Sequence, residues 1–96
     1  MKTSDYVASV IHRASIEMRV SHEEIVAGTF KAKHPSLAAR RLVMLHLSRH
    51  GLSDELIGKA FKRATNTTRK HIQFAARFLE QTHGRVLSAL PTRAIP

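Results

Sequence analysis

Between Ser36 and His50 the apolar residues Leu37, Ala38, Leu42, Val43, Met44, Leu45 and Leu47 lie almost all round a helix. A surface helix carries one apolar stripe, so a helix that is apolar on nearly every side has to be enclosed by others. With 96 residues and 43% apolar content there is material for one small core, and this segment belongs in its middle. Pro35 stops any helix from running into it, and Gly51 suits a C-cap that turns the chain away from it.

The remaining segments read as the enclosing helices. Ser4 or Asp5 can cap a first helix that runs to about Arg19, because Val7, Val10, Ile11, Ala14 and Met18 fall on one stripe. Ser21 and Glu24 form a capping box ahead of Ile25 and Val26, which opens a short second helix ending near Gly28. Thr29 to His34 has two lysines and no burial period, and reads as a basic loop. After Gly51, Ser53 is an N-cap, Asp54 and Glu55 suit a helix N-terminus, and Leu56, Ile57, Ala60 and Phe61 form its apolar face. A further helix, capped by Thr65 or Asn66, buries Ile72, Ala75, Ala76 and Leu79 and ends at Gly84. Val86, Leu87, Ala89 and Leu90 add one more helical turn or two, and residues 91–96 read as a frayed tail. No stretch alternates as a strand does, and no repeat is visible. The expected fold is all-α, with five to six helices in a single domain over residues 1–90.

The helices before and after Lys62-Arg63-Ala64 are close enough in sequence to form a helix-turn-helix. The second leaves Asn66, Thr67, Lys70, Gln73 and Arg77 facing outward, a set able to bond bases and phosphates. Charge points the same way. Sixteen Lys and Arg against seven Asp and Glu leave a net +9. From Lys31 to Arg77 there are eleven cations against Asp54 and Glu55 alone, which accounts for all of it. A polyanion is the expected partner, since each cation that meets a phosphate releases condensed counterions.

Several classes find no support. Without cysteine there is no disulfide framework, thiolate zinc site or cysteine nucleophile. No Ser-His-Asp set, paired carboxylates or glycine-rich phosphate cradle is present, so no enzyme, nucleotide or cofactor is expected. His46 and His50 stand four apart, but with no H-E-x-x-H pattern around them no metal site is assigned. Charged residues interrupt every apolar run at the N-terminus, and no run approaches the ~18 residues of a membrane span. A cytoplasmic, nucleoid-associated protein is the expectation.

The stretches VSHEEI at 20–25, AARRLVMLHL at 38–47 and GLSDELIGKAF at 51–61 resemble, in order and spacing, the C-terminal DNA-binding domain of the bacterial replication initiator DnaA. The resemblance covers about Tyr6 to Leu79, and its most specific piece is L-S followed by I-G-x-A-F. It implies a Trp-repressor-like helix-turn-helix that binds double-stranded DNA, with a basic loop entering the adjacent minor groove. The chain departs from the family where sequence is read. The family's turn carries G-G-R-D-H-T-T-V, whereas Lys62-Arg63-Ala64-Thr65-Asn66-Thr67-Thr68-Arg69 stands here. An ungapped match keeps Thr67 and Thr68 but places Ala64, Thr65 and Asn66 where the family has Arg, Asp and His. Helical phase instead gives Ile72 the place of the family's buried Val, which requires an insertion of about three residues. In either register the box-reading trio is missing, so altered specificity is implied. The family's nucleotide-driven motor has no counterpart in the sequence.

Site roles follow from the helix-turn-helix and the resemblance together. Base contacts are expected from Thr65, Asn66, Thr67, Thr68, Arg69, Lys70 and Gln73. Phosphate or minor-groove contacts are expected from Lys31, Lys33, Arg40, Arg41, Lys59, Lys62, Arg63 and Arg77. The resemblance makes Arg40 a backbone contact, as the family's arginine is. The role expected is that of a transcriptional regulator or a replication or mobile-element accessory. The alternative is an interaction module that keeps the initiator-domain fold and docks an acidic protein.

Overall fold

The computed structural model describes residues 2–27 and 35–93. Among them are six α-helices and no strand: α1 Thr3–Met18, α2 His22–Ala27, α3 Ser36–Arg49, α4 Asp54–Phe61, α5 Thr65–Phe74 and α6 Gly84–Ala89. Helix α5 runs on into a π-helical turn, Ala75–Leu79, in which Glu80 N–H reaches Ala75 O at 2.9 Å. The fold is all-α. Among the described residues no helix is long and apolar enough to cross a membrane.

Helix α3 is the hub. Ala38, Leu42, Val43, Met44, Leu45 and Leu47 are buried as expected and Ala39 with them, Leu37 is only half-buried, and every other helix packs on α3. Helix α1 lays Tyr6, Val7, Val10, Ile11 and Ala14 into that core, and Ile25, Leu52, Ile57, Phe61 and Leu90 close it from the other elements. Enclosure of α3 follows from its composition, since no orientation of the helix leaves its apolar surface covered on one side alone.

The connections are built by local chemistry. Helix α1 starts at Thr3, with Lys2 before it giving no side-chain cap, so Ser4 and Asp5 lie in its first turn instead of capping it. It ends at Arg19 in the left-handed region (φ 56°), and Val20 N–H bonds back to Ser15 O at 3.1 Å. The capping box of α2 is present: Ser21 Oγ accepts from Glu24 N–H at 3.0 Å and Glu24 Oε1 from Ser21 N–H at 3.4 Å. Gly51, with φ 95°, turns the chain after α3 as expected, and Ser53 Oγ caps α4 by accepting from Leu56 N–H at 3.2 Å. Gly84 does not cap the preceding helix; it is the first residue of α6. The C-terminal segment is anchored as far as Arg93, which corrects the expected fraying from Pro91. Tyr6 Oη donates to Pro91 O at 3.1 Å, His46 Nε2 lies 2.7 Å from the same oxygen, and Arg93 donates to Thr3 Oγ1 at 3.1 Å.

Candidate nucleic-acid interface

Helices α4 and α5 are joined by Lys62, Arg63 and Ala64. The turn is tight because Lys62 takes a left-handed conformation (φ 53°) and Arg63 N–H bonds back to Gly58 O at 2.8 Å. Gly58 is what lets the two helices close on each other. A Cβ built there would lie 2.7 Å from Arg63 O and 3.0 Å from Thr68 Oγ1. The absence of a side chain at position 58 therefore sets how closely the second helix sits against the first.

Ala64 is the N-cap of α5 and offers no side-chain acceptor, so neither Thr65 nor Asn66 is the cap that the sequence predicts. Thr65 is half-buried in the first turn, while Asn66, Thr67, Lys70 and Gln73 are exposed. These four form the outward face. Arg69 is also exposed but lies to one side, its Nε donating to Asp54 Oδ2 at 3.1 Å. An exposed pair of this kind contributes little to stability. Thr68 does not share the face: it is fully buried, its hydroxyl donating to Ala64 O at 3.1 Å. It packs α5 onto Gly58, which corrects its assignment as a base contact.

The expected phosphate ligands divide as well. Lys59, Lys62 and Arg77 are exposed, and Arg63 is half-buried with its guanidinium donating to Phe61 O at 3.1 Å and Lys62 O at 3.3 Å. Arg40 is only 2% exposed. Its Nε donates to Ile25 O at 2.7 Å and its terminal nitrogen to Glu24 O at 3.2 Å. These are carbonyls of the last turn of α2, the groups a helix cannot satisfy internally. Arg40 is thus a buried cap for a six-residue helix, not a surface contact for a phosphate. Lys31 and Lys33 lie outside the described residues.

Arg41 is turned toward α5, where Nε donates to His71 Nδ1 at 3.1 Å and the guanidinium lies 3.9 Å over the ring of Phe74. His71 is pushed down to about 4, first by burial and then by the positive charges of Arg41, Arg40 and Arg63. Arg40 is lowered too, by burial and then by Arg63 and Arg41. The guanidiniums of Arg40, Arg41 and Arg63 therefore lie near enough to His71, in the second half of α5, to act on its charge. Together with Lys59, Lys62 and Lys70 they give the motif a positive field, suited to an anionic ligand.

Sequence reasoning missed two residues here. Phe74 and Phe78 are 37% and 59% exposed, with ring centroids 4.9 Å apart. The available signal was their phase: they fall four apart and off the stripe of Ile72, Ala75 and Leu79. The histidine pair is organised for packing. His46 and His50 stack with centroids 4.1 Å apart, and His50 Nδ1 lies 2.9 Å from His46 O. Among the described residues no three His, Cys, Asp or Glu side chains are grouped to hold a metal.

Compared with protein families, curated proteins and solved structures, the chain matches none of them.

Proposed function

We propose that this chain is a double-stranded DNA-binding domain that sets the first turns of α5 into the major groove, in the style of the DnaA C-terminal domain it resembles but with a different preferred site. The observation that carries the reading is the exposed row Asn66, Thr67, Lys70 and Gln73, which has two amides, a hydroxyl and an ammonium on one face and no carboxylate among them. Side chains of these types read donors and acceptors on base edges. Lys59, Lys62, Arg63, Arg69 and Arg77 flank the row and supply phosphate contacts that position it without specifying sequence. With Lys70 these make six cations, so the log-log slope of affinity against salt is expected to be about −5.

Fluorescence anisotropy on a random duplex across a salt series tests the binding. A flat salt dependence removes the proposal. Selection from randomised duplexes then tests the reading of sequence: a recovered motif other than the initiator's box supports a regulator or a replication or mobile-element accessory. If no motif is recovered and an acidic protein competes for the same face, the chain is an interaction module.

A further inference from the structure

The exposed row of α5 does not stop at Gln73. Phe74 and Phe78 continue it, ring against ring at 53°, and Arg77 holds its guanidinium 6.0 Å from the centre of the Phe78 ring. Lys70, Gln73, Phe74, Ala76, Arg77 and Phe78 line one shallow concavity on this face. It offers two phenyl rings, two cations and an amide, and contains no carboxylate.

That combination selects its occupant. A second copy of the chain would set Lys70 and Arg77 against their own equivalents, so self-association through this face is opposed by charge. The fitting ligand is flat, apolar on its faces and negatively charged along its edge, as a nucleotide is. Its position on the helix narrows the choice. Phe74 and Phe78 lie seven and eleven residues beyond Thr67, about 10 and 16 Å along the axis at the rise of a helix, whereas a recognition helix meets base edges with its N-terminal residues. A paired duplex offers these rings no base face, because its bases are stacked on one another, whereas an unpaired strand leaving the duplex presents bases.

We infer that Phe74 and Phe78, flanked by Lys70 and Arg77, form a stacking platform for unpaired bases beside the duplex contacted by the first turns of α5. Bases stack on the exposed ring of Phe78 and on the part of Phe74 that Arg41 leaves open, the cations hold the phosphates between them, and Gln73 offers both donor and acceptor to a base edge. The π-helical turn contributes by widening the helix at the residues that carry Arg77 and Phe78, a distortion that often accompanies binding sites. The inference rests on the duplex reading above, and the experiment separates the two.

The full chain is titrated by anisotropy against a blunt duplex, the same duplex with a short oligothymidine overhang, the duplex lengthened by paired bases of equal charge, and oligothymidine alone. The overhang should tighten binding about tenfold over both paired probes, the scale of one stacked base. Phe78→Leu, which keeps apolar bulk but removes the flat ring, should abolish that gain and leave blunt-duplex affinity unchanged. Phe78→Trp should keep it. Because the chain has no tryptophan, the new indole is also a unique reporter that a stacked base quenches. Equal affinity for overhang and paired extension, or a Phe78→Leu variant that retains the gain, overturns the platform and leaves duplex binding standing. Phe78-dependent binding of oligothymidine without duplex binding does the reverse. Quenching by an acidic peptide but not by oligothymidine assigns the face to a protein and overturns the inference.

Discussion

Arg41 donates from Nε to Nδ1 of His71 at 3.1 Å, and the imidazole can accept that bond only while Nδ1 carries no proton. The pair ties the central helix to the candidate reader helix, and burial with three nearby guanidiniums keeps the ring neutral down to about pH 4.

Acid should therefore weaken the fold. The unfolded chain takes up this proton near pH 6.5 and the folded chain only near 4, so between those values the unfolded state binds more protons and stability falls as pH falls. His46 is lowered by burial in the same direction and adds to the same window. Glu24, held below its ordinary value by Ser36 and Ser21, adds a loss that begins only as pH falls through the ordinary carboxylate range. The loss attributable to His71 should be roughly 1–2 kcal/mol after allowance for its partial exposure to solvent. His71→Gln keeps an acceptor and cannot titrate, so urea melts from pH 7 to pH 4.5 should show a shallower decline for the variant.

Gly58→Ala should destabilise the protein, although alanine ordinarily improves a helix interior by about 0.5–1 kcal/mol. The added Cβ meets a backbone oxygen, Arg63 O, at 2.7 Å, and the turn has to move away from α4 to admit it. A loss of about 1–3 kcal/mol is expected from overpacking of this kind. Chemical denaturation measures it, and a variant more stable than the parent would show that the turn is not held against Gly58.

Arg40→Ala should behave as a folding mutation. It leaves Ile25 O and Glu24 O without a charged donor, and hydrogen bonds of that kind contribute about 1.5–3 kcal/mol each. A fall in stability of at least about 2 kcal/mol is expected, with duplex affinity nearly unchanged at a temperature where the variant remains folded. A stable variant that binds every duplex more weakly would return Arg40 to the phosphate contacts.

How much of this was readable in the chain depended on whether one residue's type agreed with its position. The central helix was legible because Leu42, Val43, Met44, Leu45 and Leu47 leave almost no polar side, and burial of all five follows. Ser53, Gly51 and the Ser21–Glu24 box were legible because capping is local chemistry. Thr68 and Arg40 were misplaced because polarity outweighed phase. Thr68 precedes Ile72 by four and lies on its buried stripe, and Arg40 precedes Met44 and Leu47 by four and seven. Their polar atoms enter the interior by bonding carbonyls: Thr68 bonds Ala64 O one turn back in its own helix, and Arg40 bonds Glu24 O and Ile25 O, partners on another helix that no short sequence window contains. The expected burial of Ala76 failed for a different reason. It lies in the π-helical turn, where a regular 3.6-residue period no longer holds, and it is exposed. Leu56, expected on the buried face of α4, is 49% exposed because Ile57, Gly58 and Phe61 supply that face.

Thr67 and Lys70 remain the sharpest test of the proposed reader face. They lie one turn apart on α5, both exposed, on the side away from Thr68 and Ala75, which are buried against the rest of the protein. Neither has a role in capping, because the N-cap is Ala64 and α5 starts with no side-chain acceptor. Replacing both by alanine should then shift stability by no more than about 0.5 kcal/mol each. If the pair reads base edges, the double variant loses a hydroxyl and an ammonium from the groove. Each base pair released from a good contact relaxes discrimination by about 1–3 kcal/mol, and the motif recovered from randomised duplexes should broaden at adjacent positions. Non-specific affinity should fall much less, since of the two only Lys70 also offers charge to phosphates. Circular dichroism melts beside the selection separate loss of fold from loss of reading. A variant that melts like the parent and recovers the same sharp motif would move base reading off this face of α5.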